Sequence, residues 1–319
     1  EDLGMGQVFK AEHPIMGRVV AIKVLPKDKS TPDALKSFHH EIRVLAQLNH
    51  PNLVHAFDAG QDGSTHFLVT EFVPGSDLRA LVRKKGAMTQ RDAATVMTQA
   101  AMGLQHAHEK GLIHRDVKPD NIMIVQGGVA KLCDLGLAKD VSRRSGSTEK
   151  GATMGTPNYI SPEQARGDAH VDIRSDLYSL GATLYHMVTG KVPFAGKNPS
   201  DVMHRHLKQE LVPPDHLNPS LSAGFSQVIE MMMAKDVPMR YQTADDLLED
   251  LNTIEQGGSP QFAQPTLDFA LLAEVASATP ASDPVPQSNV QLPMAGMWLP
   301  MLIVSVIVNL ILIAILIAS

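Results

Sequence analysis

Apolar and polar positions along the chain predict strands first and helices afterwards. Apolar runs rich in β-branched residues predict strands at residues 7–12, 18–25, 53–59 and 66–72. Apolar residues at steps of three and four predict a helix at about 33–48. From Thr89 onward the apolar spacing is helical, and Thr89 with Asp92 forms a capping-box-like helix start.

This order predicts an α+β domain over residues 1–255 with two lobes. A small β-rich lobe, about 1–72, joins a larger helical lobe, about 76–255, near residues 71–77. Residues 256–296 contain no Lys or Arg and are rich in Pro, Ser, Gln and Ala, which predicts an extended linker.

Residues 298–318 form an uncharged apolar run of 21 residues, from which we predict one transmembrane helix over 297–318. A helix of this length spans roughly 30 Å, the thickness of a bilayer core. Trp298 lies at one end, where an interfacial aromatic is expected. The alternative, a core helix of a soluble enzyme, is disfavoured because the run lacks a polar face.

Composition narrows the function classes. The formal net charge of -6 argues against a nucleic-acid-binding protein. The single cysteine, Cys133, excludes an internal disulfide and is expected to be a small buried hydrophobe. No charged and apolar leader follows Glu1, so we expect no signal peptide.

Two charged residues fall at inward-facing positions. Lys23 ends an apolar strand run, and Glu41 lies on the apolar face of the predicted helix at 33–48. A buried charge needs a partner, so Lys23 and Glu41 are candidates for each other, and their pairing would hold the lysine near phosphate oxygens. The alternative is that the Lys23 stem is buried while its amine reaches solvent.

A dense polar cluster runs from His114 to Asn121, and Asp134 follows the next short strand. Oxygen ligands from such acids and amides suit Mg²⁺, which shares its coordination with phosphates. The alternative for each segment alone is a surface loop and an ordinary turn.

The motifs occur in a fixed order along the chain. They are Gly4-Met-Gly-Gln-Val8, Val20-Ala-Ile-Lys23, Glu41, His114-Arg-Asp116 to Asn121, Asp134-Leu-Gly136, Ser161-Pro-Glu163, Asp176 and Arg240. This set resembles the protein-kinase superfamily over residues 3–254. The tracts 155–167 and 181–190 resemble bacterial-type, eukaryotic-like serine/threonine kinases, and the apolar run suggests a membrane-anchored, receptor-kinase-like member.

The resemblance implies an ATP site and a metal site. Lys23 would bind the α- and β-phosphates while Glu41 holds it, and Thr70 would guard the back of the pocket. The backbone at Glu71 and Val73 would meet adenine. The remaining implied ATP contacts are Gly4, Gly6, Val8 and Ala21. Asn121 and Asp134 would ligate Mg²⁺, with Mn²⁺ as an alternative metal.

The resemblance also implies the catalytic and structural roles. Asp116 would orient the acceptor hydroxyl of a Ser or Thr side chain in a protein substrate, Lys118 would stabilise the transferred phosphate, and Thr156 would support both. Glu163 and Arg240 would form a structural ion pair. Asp176 would support the catalytic loop.

Regulation and location follow from the same resemblance. Thr148 and Thr153 are candidate phosphate acceptors, and Arg115 would pair with the phosphate; ordinary loop threonines are the alternative. A homodimer that phosphorylates itself in trans is one implied assembly. The implied location is the plasma membrane, single-pass through the lipid bilayer, with a cytoplasmic kinase domain.

The pairs His39-His40 and His204-x-His206 are expected to be solvated or packed rather than metal-binding.

The glycine-rich loop departs from the family pattern. Its two earlier glycine positions fall on Glu1 and Leu3, and no first strand precedes them. We therefore expect a chain truncated or mis-started at its N-terminus. The alternative function is a catalytically weak, pseudokinase-like membrane scaffold that binds partner proteins.

Overall fold

The first part of the chain folds as an antiparallel sheet in a computed structural model that describes residues 7–15, 17–24, 42–43, 45–134 and 157–264. Its strands are β1 (Gln7–His13), β2 (Arg18–Val24), β3 (Ala56–Asp62) and β4 (Thr65–Glu71). They lie in the order β1-β2-β4-β3. Most of the helix predicted at 33–48 lies outside the described residues.

Strand β3 begins three residues later than the pattern predicts. Leu53 forms a parallel bridge with Leu132, and the Val54 N–H donates to the Leu132 carbonyl at 2.9 Å. These apolar residues therefore join the first sheet to the second instead of extending the strand. The strand then runs on to Asp62, where Gly63 turns the chain at a φ of 56°, a conformation that favours glycine.

The rest of the described chain is mainly helical. A second sheet, ordered β5-β6-β7, lies at the start of this lobe. Its elements and the helices are β5 (Gly75–Asp77), α1 (Leu78–Lys85), α2 (Gln90–Glu109), β6 (Ile122–Val125), β7 (Ala130–Leu132), α3 (Pro162–Arg166), α4 (Ile173–Thr189), α5 (Pro199–Lys208), α6 (Pro214–Leu217), α7 (Ala223–Met232) and α8 (Ala244–Glu255). The prediction of a β-rich lobe followed by a larger helical lobe is confirmed.

Helix α4 forms the centre of the large lobe. Its residues from Ser175 to Tyr185 are all buried, and α2 and α7 pack against it. Helix α2 begins as predicted at Thr89, whose hydroxyl accepts from the Asp92 N–H at 3.2 Å. The Asp92 carboxylate, however, accepts from the Thr89 hydroxyl at 2.9 Å, so the start is a side-chain N-cap without the reciprocal half of a capping box.

All described residues belong to one compact unit that spans Glu1–Pro265. Within them, no helix combines the length and the apolar character that a membrane crossing requires. The predicted transmembrane run at 298–318 and most of the predicted linker lie outside the described residues.

Candidate active site

Strand β2 carries Lys23 on the face of the sheet that looks toward the large lobe's loops. The strand register pairs Lys23 with Val8 and Ala21 with Thr70, so these four predicted ATP contacts share one face. The Lys23 amine lies 2.8 Å from the Asp134 Oδ1 atom, and only 14% of the lysine side chain is exposed. Lys23 from the small lobe and Asp134, which follows β7, therefore meet.

The loop between α2 and β6 brings three predicted site residues together. The Lys118 amine donates to the Asp116 Oδ2 atom at 2.9 Å. The Asn121 amide nitrogen donates to the Asp116 carbonyl at 2.8 Å and to its Oδ2 atom at 3.2 Å. Because both contacts use the nitrogen, the Asn121 Oδ1 atom stays available, and no donor among the described residues reaches it.

Asp176, buried at the start of α4, fixes the backbone of this loop. Its carboxylate accepts from the His114 N–H at 2.8 Å and from the Arg115 N–H at 2.7 Å. The His108 Nε2 atom, from α2, lies 2.9 Å from the same carboxylate. Two consecutive N–H groups just before Asp116 are therefore tied to α4, whose residues from Ser175 to Tyr185 are all buried.

His114 links the loop to the segment that carries Asp134. Its Nε2 atom lies 3.1 Å from the Cys133 carbonyl, which can only accept, so Nε2 carries a proton. Its Nδ1 atom then accepts from the Asp116 N–H at 3.3 Å. Burial lowers the pKa of His114 despite the opposing charges of Asp176 and Asp116, so the ring bridges the two segments in its neutral form.

Two residues of the site have left-handed backbone conformations that are uncommon outside glycine. Arg115 has a φ of 61° and Asp134 a φ of 57°. Asp176 holds the Arg115 N–H, and the Gln164 Nε2 atom donates to the Arg115 carbonyl at 3.0 Å. Such conformations persist where the surroundings fix them, and they concentrate at functional sites.

Glu163 and Arg240 form a buried, bidentate ion pair in the large lobe. The Arg240 Nη1 and Nη2 atoms lie 2.8 and 2.9 Å from the two carboxylate oxygens of Glu163. Burial alone would raise the pKa of Glu163, but the hydrogen bonds and charge of Arg240 outweigh it and hold that pKa below its usual value. The pair ties α3 to the segment that precedes α8.

The backbone at the join between the lobes has groups available for a ligand. The Glu71 N–H donates a hydrogen bond to the His55 carbonyl at 2.8 Å, and the Thr70 hydroxyl lies 3.4 Å from the Glu71 carbonyl. No described residue hydrogen-bonds the Val73 backbone.

Cys133 is partly exposed rather than fully buried, and burial of its sulfur raises the pKa of the thiol to about 12.

Several predicted residues lie outside the described residues, so their roles stay predictions. They are Gly4, Gly6, Glu41, Thr148, Thr153 and Thr156. Of the histidines in the two predicted pairs, His206 is buried, with its Nδ1 atom 2.9 Å from the Tyr178 hydroxyl and its Nε2 atom 3.1 Å from the Asn158 carbonyl.

Sequence reasoning missed two residues that position the loop. Gln164 was identifiable, because Ser161 and Gln164 have capping-box spacing and form that box at the start of α3. His108 carries no comparable signal, since nothing in the spacing of α2 indicates that this residue reaches Asp176.

The sequence and the fold both match known proteins. A family model for the protein kinase domain matches residues 4–251. The chain is 37% identical over 297 residues to the serine/threonine-protein kinase PknB of Mycobacterium tuberculosis, an alignment that covers 90% of this chain and 47% of the relative. It is 38% identical over 254 residues to a probable serine/threonine-protein kinase of Clostridium perfringens, covering 79% of this chain and 37% of that protein. The chain thus spans about half the length, or less, of these curated relatives.

Two solved structures share the fold. The kinase domain of Mycobacterium tuberculosis PknI, solved as a mutant, matches with a TM-score of 0.64 at 25% identity and covers 80% of this chain and 92% of that chain. Rad53 in complex with AMP-PNP matches with a TM-score of 0.65 at 27% identity and covers 77% of this chain and 61% of that chain.

Proposed function

Since the chain belongs to the protein kinase family, as a bacterial-type serine/threonine kinase domain, we propose that it is an active enzyme that transfers the γ-phosphate of ATP to Ser and Thr hydroxyls of proteins. One observation carries this proposal. Lys23, from the sheet of the small lobe, lies 2.8 Å from Asp134, from the large lobe, although 111 residues separate them in sequence. A cation and a carboxylate that meet in this way are suited to a bound triphosphate and its metal.

Asp116 is the residue proposed to orient the acceptor hydroxyl of the protein substrate. Lys118 and Asn121 both contact it, and the Asp176 carboxylate fixes the backbone immediately before it. Phosphoryl transfer depends mainly on position and charge, so a loop held this firmly supplies what the reaction needs. Lys118 is close enough to Asp116 to stabilise negative charge at the same point.

The residues present fit the cofactors that the family uses, ATP and a divalent metal, typically Mg²⁺. Asp134 and the available Oδ1 atom of Asn121 are hard oxygen ligands of the kind Mg²⁺ prefers. The Val73 backbone, which no described residue hydrogen-bonds, can hydrogen-bond adenine. When bound, the metal neutralises charge on the phosphate oxygens. Lys23 would exchange its contact with Asp134 for a phosphate oxygen.

The proposal is tested by transfer of radiolabelled phosphate from Mg-ATP to a generic protein substrate. We expect Asp116→Asn to lower incorporation about 10²- to 10⁴-fold, the usual contribution of a positioned acid or base. Asp120→Asn, in the same loop but paired with Arg79 at 2.8 Å, is the matched control and should keep its activity. Equal incorporation by wild type and Asp116→Asn would favour the scaffold function instead.

Membrane anchoring through residues 298–318 is the second part of the proposal, with the kinase domain in the cytoplasm and the plasma membrane as the location. Its support is the uncharged run of 21 residues in the sequence. Membranes should retain the full chain through high-salt and carbonate washes and release it only with detergent. Release by carbonate alone would contradict the anchor.

Autophosphorylation in trans within a homodimer also stays a proposal, with Thr148 and Thr153 as acceptors and Arg115, next to Asp116, as the phosphate partner. Mixing wild type with Asp116→Asn tests it, since the inactive chain can gain phosphate only from the other copy. Mass spectrometry would then show phosphate at Thr148 or Thr153 of Asp116→Asn, and its absence there would reject the proposal.

A further inference from the structure

A cavity of about 450 Å³ lies on the face of the first sheet opposite to Lys23. Arg18 and Glu71, which line it, alternate with Ala21 and Lys23 along paired strands and so point to the other side of the sheet. Lys131, on β7 of the second sheet, also lines the cavity. The Arg18 and Glu71 side chains therefore face away from the site that contains Lys23 and Asp116, and the volume of the cavity is in the range that holds a small ligand.

The charges around this rear cavity favour an anion. Arg18 and Lys131 are its cations, and Glu71 is the one acid among its lining residues. The Lys131 amine is 2.9 Å from the Glu71 carboxylate, so that cation is already shared. Arg18 has no carboxylate partner among the described residues, and its guanidinium lies 4.8 Å from the centre of the Phe57 ring. In a chain of net charge -6, this cavity has an excess of positive charge.

The remaining walls favour a flat apolar group next to the anion. Leu53 lines the cavity and is almost fully buried, and the Phe57 ring packs edge-on against the His55 ring at 5.3 Å. An arginine stacked on an aromatic ring presents a planar fork of donors that matches a carboxylate or a phosphate.

We propose that this rear cavity binds a small anionic ligand, a carboxylate or phosphate carried on a planar apolar group, through Arg18 and Lys131. The ligand would lie against the side chain of Glu71, whose backbone belongs to the segment proposed to contact adenine. The site is independent of the transfer activity proposed above, so it can be tested on the full chain whether or not that activity is found.

The test is a methyl NMR titration of the full chain, with the Leu53 methyl signals as the local reporter. Benzoate and phenyl phosphate are the probes, and benzamide is the uncharged analogue of the same shape. We expect at least one anion to shift the Leu53 signals saturably, and benzamide to bind about tenfold more weakly or worse, the effect of losing one charge-assisted contact. The tighter anion identifies the headgroup that the cavity takes. No shift with either anion, or an affinity for benzamide that equals or exceeds the affinity for the tighter anion, would overturn the proposal.

Three variants test the direction as well as the size of the change in affinity for the anion. Arg18→Gln, at an exposed position, should weaken anion binding about tenfold. Glu71→Gln should tighten it, because the competing acid is removed and Lys131 is released. Lys84→Gln, an exposed cation of α1 that does not line the cavity, should change nothing. Weaker binding in Glu71→Gln, or displacement of the anion by saturating AMP-PNP, would assign the shift to something other than this cavity.

Discussion

Asp176 and Asp250 are both buried carboxylates of the large lobe that accept hydrogen bonds from successive backbone N–H groups and one side chain. Asp176 accepts from the N–H groups of His114 and Arg115, directly before Asp116. Asp250, on α8, accepts from the Tyr241 hydroxyl at 2.6 Å and from backbone N–H groups of residues 261–263 at the end of the described chain. The two acids use the same chemistry, so their difference lies in the segment that each one fixes.

This comparison separates residues that hold the site from residues that hold the fold. A carboxylate under a catalytic loop controls the position of reacting groups, where an error of about 1 Å costs about a hundredfold in rate. A carboxylate under a terminal segment controls only the free energy of unfolding. Changes at the two kinds of position should therefore affect different measurements.

The largest effect is expected at the buried ion pair, which belongs with the fold-holding residues. Glu163→Gln leaves the Arg240 charge buried without its partner and should lower the free energy of unfolding by about 3–5 kcal/mol. Asp168→Asn breaks the exposed pair with Arg166 and should cost about 0–1 kcal/mol. Urea denaturation at neutral pH measures both. Equal losses would mean that burial does not decide the strength of these pairs.

The same substitution in both acids tests whether Asp176 and Asp250 differ in this way. Asp176→Asn and Asp250→Asn should each cost about 1–3 kcal/mol of stability, because an amide cannot accept from every donor that the carboxylate satisfies. Only Asp176→Asn should also lower the transfer rate per folded molecule, by about a hundredfold. Rates corrected for the folded fraction distinguish them, and a comparable rate loss in Asp250→Asn would end the distinction.

A smaller effect is expected from His206, a fold-holding group that titrates. Burial, and to a lesser extent the charge of Lys235, lowers the pKa of His206 to about 3 in the folded chain, against about 6.5 when unfolded. Between these values only the unfolded chain binds the proton, so stability that is present above pH 6.5 is lost as the pH falls. The loss is about 2 kcal/mol between pH 7 and 5.

His206→Gln should remove this contribution to the pH dependence whatever it does to stability at pH 7. The free energy of unfolding of wild type and variant, measured at both pH values, gives the difference. The same pH dependence in both proteins would show that His206 does not titrate in this way.

The smallest effect is expected when one donor to Asp250 is removed. Tyr241→Phe deletes the hydroxyl that donates to Asp250 and should cost about 1 kcal/mol, the usual net value of one hydrogen bond, with no change in rate. Tyr185→Phe is the matched control, because no described residue hydrogen-bonds its buried side chain's hydroxyl. Thermal unfolding would reveal the difference, and identical transitions for the two variants would argue against the bond.

The sequence predicted the elements and their order well because their signals are local. Apolar alternation identified β1, β2 and β4 within a residue or two, and the Thr89 cap located the start of α2. The start of β3 could not be predicted, because residues 53 and 54 are bound to Leu132 in the other sheet and nothing nearby in sequence indicates this.

The residues of the candidate site could be named from the sequence, but most of their contacts could not. Asp116, Asn121 and Asp134 stand out by ordered motifs, whereas the link from His108 to Asp176 depends on how two helices pack. Left-handed backbone at Arg115 and Asp134 is likewise invisible in their residue types. Three-dimensional packing, rather than local propensity, sets these features.

The proposed function depends above all on Lys23, Asn121 and Asp134 surrounding the triphosphate of a nucleotide held between the lobes. A crystal structure of the full chain with AMP-PNP and Mg²⁺ tests it most directly. We predict the Lys23 amine within about 3 Å of an α- or β-phosphate oxygen, and oxygens of Asn121 and Asp134 about 2.0–2.1 Å from the metal. A triphosphate bound elsewhere, with Lys23 still on Asp134, would contradict the claim.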